Sequence, residues 1–211
     1  RVGLTRCGTW EGSMTSASAS GATSTTTKLK TISPPTKSSQ CLRAAAIPGW
    51  QEQHQWRGHI PAEEYVKLAG QWNPVNFDPD TWLDLAISTG MEYIILTSKH
   101  HDGFCLWDTD QTDFNTMNTP YRKDVLAQLA ESCHRRNFPL GFYYSIADWH
   151  HPNYPNQGRH HELDGPKPGD EPDLMKYLDF LRAQIRELCT RYGELHAFWW
   201  DMNVDEYVDP S

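Results

Sequence analysis

The sequence predicts an α/β protein built from parallel βα units, on three observations. Three short apolar runs, "MEYIILTS", "PLGFYYSIADW" and "HAFWWDMN", have the β-branched and aromatic make-up of buried strands. Each follows a stretch of helical periodicity, and no hairpin turn joins any two of them. Polar and aromatic residues gather at the end of every run, where parallel α/β folds bind their ligands.

The elements can be justified in order. Upstream of about residue 45, "EGSMTSASASGATSTTTKLKTISPPTKSSQ" is rich in Ser and Thr and nearly without periodic apolar residues, so it is expected to be disordered. It has no continuous apolar core of a secretory signal. "NFDPDTWLDLAISTG" supplies Asp78 as N-cap, Pro79 at the first helical position and Gly90 as stop, which predicts a helix of about three turns. The strand "MEYIILTS" follows. "RKDVLAQLAESCHRRN" puts Val125, Leu126, Leu129, Ala130 and Cys133 on one helical face, before the strand "PLGFYYSIADW". "EPDLMKYLDFLRAQIRELCTRYG" aligns Leu174, Leu178, Leu181, Ile185 and Leu188 ahead of Gly193 and the last strand, "HAFWWDMN".

Composition sets the limits. A chain of 211 residues with 38% hydrophobic residues can build one core, and no stretch approaches the roughly 18 apolar residues of a membrane span. A net charge of -8 without any Lys/Arg run argues against nucleic acid or an anionic membrane as partner. The nine tryptophans suit sugar rings as well as a core. Five cysteines, odd in number and without a CxxC pair, indicate neither a disulfide framework nor a zinc ribbon. Cys133 and Cys189 fit helical core positions, and nothing marks Cys105 as an activated thiol.

The strand ends carry the chemistry. The first supplies Lys99, His100, His101 and Asp102, the second Tyr143, Tyr144 and Ser145 with Asp148 to His151 beyond, and the third Trp199, Trp200 and Asp201. A doubly wound sheet and a (β/α)8 barrel both fit the alternation; the lack of a Gly-rich turn after any strand favours the barrel. Asp201 fits either catalysis or the cap of a following helix. His100 and His101 are neighbours on an expected strand, so their side chains are expected on opposite faces, which does not suit a metal site. The loop "WHHPNYPNQGRHHELD" reads as a solvated surface segment.

"SKHHDGFCLWDT", "LGFYYSIADWHHP" and "FWWDMN", in this order and at these separations, resemble the α-L-fucosidases of glycoside hydrolase family 29, from about Ala46 to Ser211. The resemblance implies a partial (β/α)8 TIM-like barrel, roughly the first half, with parallel strands. It implies a retaining exo-glycosidase that removes terminal α-L-fucose from oligosaccharides or glycoconjugates with no metal or organic cofactor. A secreted, periplasmic or lysosomal location is implied, and any homo-oligomer would belong to the full-length protein. Asp201 matches the nucleophile. His100 and His101 match the pair that hydrogen-bonds the fucose hydroxyls, Tyr143 the strand tyrosine, and Trp199 the ring lying against the sugar. Trp56 in "PGWQEQHQW" matches a sugar contact, with Gln55 where the family's glutamate is expected.

Two departures qualify the match. "SSQCLRAAA" stands in place of the family's first strand, so residues 1–45 are expected to be disordered or mis-translated and residues 46–211 to be the N-terminal part of the barrel. No acid/base carboxylate is recognised, which makes the chain as given an expected inactive fragment. A non-catalytic sugar-binding remnant and a metal-dependent barrel hydrolase built on the histidines are the alternatives.

Overall fold

Aspartates start the three long helices. In the computed structural model, which describes residues 4–5, 54–158 and 162–201, the carboxylate of Asp78 accepts from the Asp80 amide at 3.0 Å to open α3 (Pro79–Ser88). It follows two short helices, α1 (His54–Arg57) and α2 (Ala62–Tyr65), the second running on into a 3-10 turn at Val66–Gln71. Asp124 opens α4 (Val125–Arg135) by accepting from the Ala127 amide at 2.7 Å, and Asp173 opens α5 (Leu174–Arg191). Each cap satisfies helix amides that have no partner within the helix. At the other end of α3, Gly90 takes φ +76°, a left-handed conformation that glycine adopts without strain.

The three expected strands form as β2 (Ile94–Lys99), β3 (Leu140–Ser145) and β4 (Ala197–Asp201), paired in parallel as β2-β3-β4. Beside β4 lies β1 (Leu4–Thr5), antiparallel, with Leu4 opposite Trp199 and Thr5 opposite Phe198. That pair falls inside the stretch expected to be disordered. Two residues are too few to carry a side-chain period that the sequence could show. The rest of the segment lies outside the described residues, within 1–3 and 6–53, as do His160 and His161.

One face of the sheet is buried more fully than the other. Leu96, Phe142, Tyr144 and Phe198 are buried with Leu126, Leu129, Leu181 and Leu188 in the core. On the opposite face Thr97 is exposed and Ile95, Tyr143 and Trp199 are half-buried. This open face is the one that carries the site.

The α4 stripe is buried as expected. The α5 stripe is rotated: Tyr177, Leu181, Gln184, Glu187 and Leu188 are buried, whereas Leu174, Leu178 and Ile185 are half-buried. Two polar residues draw the helix round, because each has a dedicated partner. Gln184 Oε1 accepts from the Tyr144 hydroxyl at 2.7 Å and its Nε2 donates to Cys105 Sγ at 3.2 Å. Glu187 accepts from Trp107 Nε1 at 2.9 Å and from the Asp110 amide at 3.0 Å. A buried polar group so satisfied costs little. No described helix is long and apolar enough to cross a membrane.

Candidate active site

The site begins with an irregularity in β2. Pairing runs Thr97 to Tyr143, then shifts so that Lys99 lies opposite Tyr144. A bulge of this kind turns the residues beyond it to new directions. Lys99 goes to the helix side of the sheet, where it is fully buried and its Nζ donates to Asp148 Oδ2 at 2.7 Å and lies 4.7 Å from the Tyr144 ring. His100 and His101 follow in a turn rather than a strand, so the expectation of opposite faces fails. Their ring centroids are 4.1 Å apart.

Parallel register brings the other strand ends beside them. Tyr143 lies opposite Trp199, and Ser145 opposite Asp201. All four sit on one face, since side chains two apart share a face. The Tyr143 hydroxyl donates to Asp201 Oδ2. His101 Nε2 lies 3.8 Å from the same oxygen, and His101 Nδ1 is 2.5 Å from Ser145 Oγ. His100 stacks on Tyr143 with centroids 5.7 Å apart, and Tyr143 meets Trp199 at 6.4 Å. The Asp201 side chain is 39% exposed, which leaves an open carboxylate among aromatic rings.

Five of the six residues singled out in the sequence therefore converge: His100, His101, Tyr143, Trp199 and Asp201. Trp56 sits on α1, half-buried against the core with the Arg57 guanidinium 5.2 Å from its ring. Gln55 beside it is buried.

Sequence reasoning missed the scaffold under the histidines. Besides Lys99, Asp148 accepts from the His150 and His151 amides at 3.0 and 2.9 Å. Gly103, at φ +80°, packs so tightly on it that a Cβ would come within 2.5 Å of Asp148 Oδ1. The Trp149 amide donates to the His101 carbonyl at 2.7 Å. Asp102, one of the four polar residues closing the first strand, accepts from the Tyr65 hydroxyl at 2.9 Å and the Phe104 amide at 3.1 Å. The one signal available was the pairing of a lysine and an aspartate at the ends of adjacent strands.

Burial decides the remaining titratable groups. His150 lies on Phe114 and His151 on Phe180, with centroids 4.3 Å apart in each case, and desolvation lowers both below the ordinary histidine value. The Asp148 carboxylate opposes that shift and the Lys99 charge adds to it. Burial pushes the Cys105 thiol far above its usual range, so it is no nucleophile. Among the described residues, His100, His101 and Asp201 place one ligand atom each within 4.8 Å of one another, a donor set of types and spacing that suit a divalent cation.

The whole pattern matches known proteins. The family model described as alpha-L-fucosidase matches residues 32–210. The chain belongs to the alpha-L-fucosidase family. Alpha-L-fucosidase 1 of Arabidopsis thaliana is 33% identical over 133 residues, and the mouse tissue alpha-L-fucosidase 33% identical over 126. Among solved structures, alpha-L-fucosidase isoenzyme 1 from Paenibacillus thiaminolyticus superposes with a TM-score of 0.72 at 39% identity, covering 80% of this chain and 40% of that one. A glycoside hydrolase family 29 alpha-L-fucosidase from Bacteroides thetaiotaomicron, trapped as a covalent intermediate with 2-fluoro-fucosyl fluoride, superposes with a TM-score of 0.65 at 34% identity, covering 74% and 34%. The chain spans 23% of the Arabidopsis fucosidase and 28% of the mouse one.

Proposed function

We propose that this segment carries the nucleophilic half of a retaining exo-glycosidase that releases terminal α-L-fucose from oligosaccharides or glycoconjugates. The observation that carries the proposal is the setting of Asp201: an open carboxylate at a parallel strand end, oriented by the Tyr143 hydroxyl and 3.8 Å from His101 Nε2. The tyrosine O–H directs one carboxylate oxygen, and a carboxylate held in this way can act as a nucleophile. In retaining hydrolysis the carboxylate attacks the anomeric carbon, the C–O bond to the leaving group breaks, and a second carboxyl group protonates the leaving oxygen. The trapped covalent intermediate of the Bacteroides relative supports that course.

His100 and His101 then meet the sugar hydroxyls and Trp199 lies against its apolar face, with Trp56 a further contact from α1. The three parallel strands become one arc of a (β/α)8 barrel, and their open face becomes its interior. The acid/base carboxylate that completes the reaction is not assigned to any described residue. An aryl α-L-fucoside turned over by the complete catalytic domain, with the first-formed sugar anomer followed by NMR, tests the mechanism. Retention is expected, and inversion removes Asp201 as nucleophile. Equimolar bound metal that is lost from a His100→Ala variant favours the metal-dependent alternative drawn from the same three side chains.

A further inference from the structure

The turn that carries the two histidines of the site rests at both ends on one side chain, Asp148. Just before the turn, Lys99 Nζ donates to Asp148 Oδ2 at 2.7 Å, and the Tyr144 and Phe180 rings lie 4.7 and 5.8 Å from the same ammonium. The Gly103 amide closes the turn by donating to the His100 carbonyl at 3.0 Å. Gly103 itself lies against the other carboxylate oxygen: an added Cβ would come within 2.5 Å of Asp148 Oδ1 and 2.7 Å of His150 Cβ. That oxygen accepts from the His150 and His151 amides at 3.0 and 2.9 Å, and between them and the turn the Trp149 amide donates to the His101 carbonyl at 2.7 Å.

A charge is a costly way to fill this space. Both members of the ion pair give up their water, so an apolar pair of similar volume would hold the fold as well or better. What an apolar pair lacks is direction. An ammonium on one carboxylate oxygen and two amides on the other fix where the carboxylate points, and with it the separation of the β2 end from the loop beyond β3. Asp148 is 2% exposed, so it acts through the turn and not on a ligand.

We propose that Asp148 is a positioning residue which, through Lys99 at one end and Gly103 at the other, sets the pose of the His100–His101 turn against Asp201 and so the fit of the site to a sugar. The sugar rests on the fucosidase reading; the pose of the turn does not.

The test reads pose and binding separately. In the wild-type chain the amides of Gly103, Trp149, His150 and His151 are expected to exchange with deuterium as one group, because the turn and the loop are joined at the same carboxylate. Unrelated rates overturn the proposal without any variant. Lys99→Met with Asp148→Asn keeps an oxygen for the His150 and His151 amides and removes the tie to β2. In that double variant the 13C-histidine ring signals of His100 and His101, assigned with His100→Gln, are expected to move, and L-fucose to bind about tenfold more weakly, the scale of one displaced hydrogen bond. Gly103→Ala, which keeps both charges but pushes Asp148 aside, is expected to do the same. A folded double variant with wild-type ring signals and wild-type affinity overturns the proposal. Ring signals that move, in a protein whose wild type does not bind L-fucose, overturn the fucose reading and leave the role of Asp148 standing.

Discussion

Lys99 and His100 are adjacent in sequence and opposite in fate. Lys99 is fully buried against Asp148, itself 2% exposed, whereas His100 and His101 look onto the 39% exposed carboxylate of Asp201. Both regions bring a basic residue at or just past the end of β2 to an aspartate, Asp148 beyond β3 and Asp201 at the end of β4. The difference lies in how far each carboxylate is satisfied. Asp148 spends its oxygens on one ammonium and two backbone amides, leaving no room for a ligand. Asp201 accepts from the Tyr143 hydroxyl, lies 3.8 Å from His101 Nε2 and remains open to solvent. A charged strand end is thus no mark of catalysis by itself; an oriented but accessible one is.

Four predictions press on that contrast. The largest effect is expected at the open aspartate: Asp201→Asn should lower fucoside turnover in the complete catalytic domain about 10^4-fold, equivalent to about 5.5 kcal/mol, with an unchanged unfolding midpoint. Turnover near the wild-type rate would move catalysis elsewhere. At the closed aspartate the effects should invert. Lys99→Met strands the Asp148 charge in the core and should cost about 3–5 kcal/mol of stability in urea unfolding, while the double variant Lys99→Met with Asp148→Leu should recover much of the loss. Equal losses in single and double variants would show that the pair is not the source.

Smaller effects should follow at the rings. His100→Ala and His101→Ala should each weaken fucose binding by about 1–3 kcal/mol, read by calorimetry, if they leave sugar hydroxyls unpaired. Binding unchanged in both would detach the histidines from the sugar. The smallest effect is expected from His150 and His151. Their folded pKa values lie below the ordinary 6.5, so the unfolded chain binds protons more readily. Stability should be complete above about pH 7 and fall as pH drops through the mid-6 range, and His150→Phe should flatten that dependence. A profile as steep in the variant as in the wild type would place the titration elsewhere.

The strands, two of the three long helices and the convergence of five site residues were legible because each rests on a local pattern: a capping aspartate, an apolar run, a cluster at a strand end. Three features were not. The bulge between Thr97 and Lys99 reverses the facing of every residue after it, and nothing in "LTSKHHDGF" announces a register shift. Gln184 and Glu187 break the apolar stripe of α5, and their burial follows only from partners 40 to 80 residues away. Asp148 reads as one more polar residue of a loop until the packed Gly103 is seen beneath it. Short-range periodicity carries secondary structure, whereas polar burial is decided by tertiary partners.

Glu187 has a consequence in time as well as in space. Its carboxylate ties α5 to Trp107, Asp110 and Gln111, and the same loop carries Phe114, whose ring supports His150 and through it the turn at Asp148. The long connection between β2 and α4 is therefore not free to breathe on its own. The Asp110 amide, held by Glu187, is expected to exchange with solvent when α5 lets go, on the slow clock of the core rather than the fast one of a surface loop.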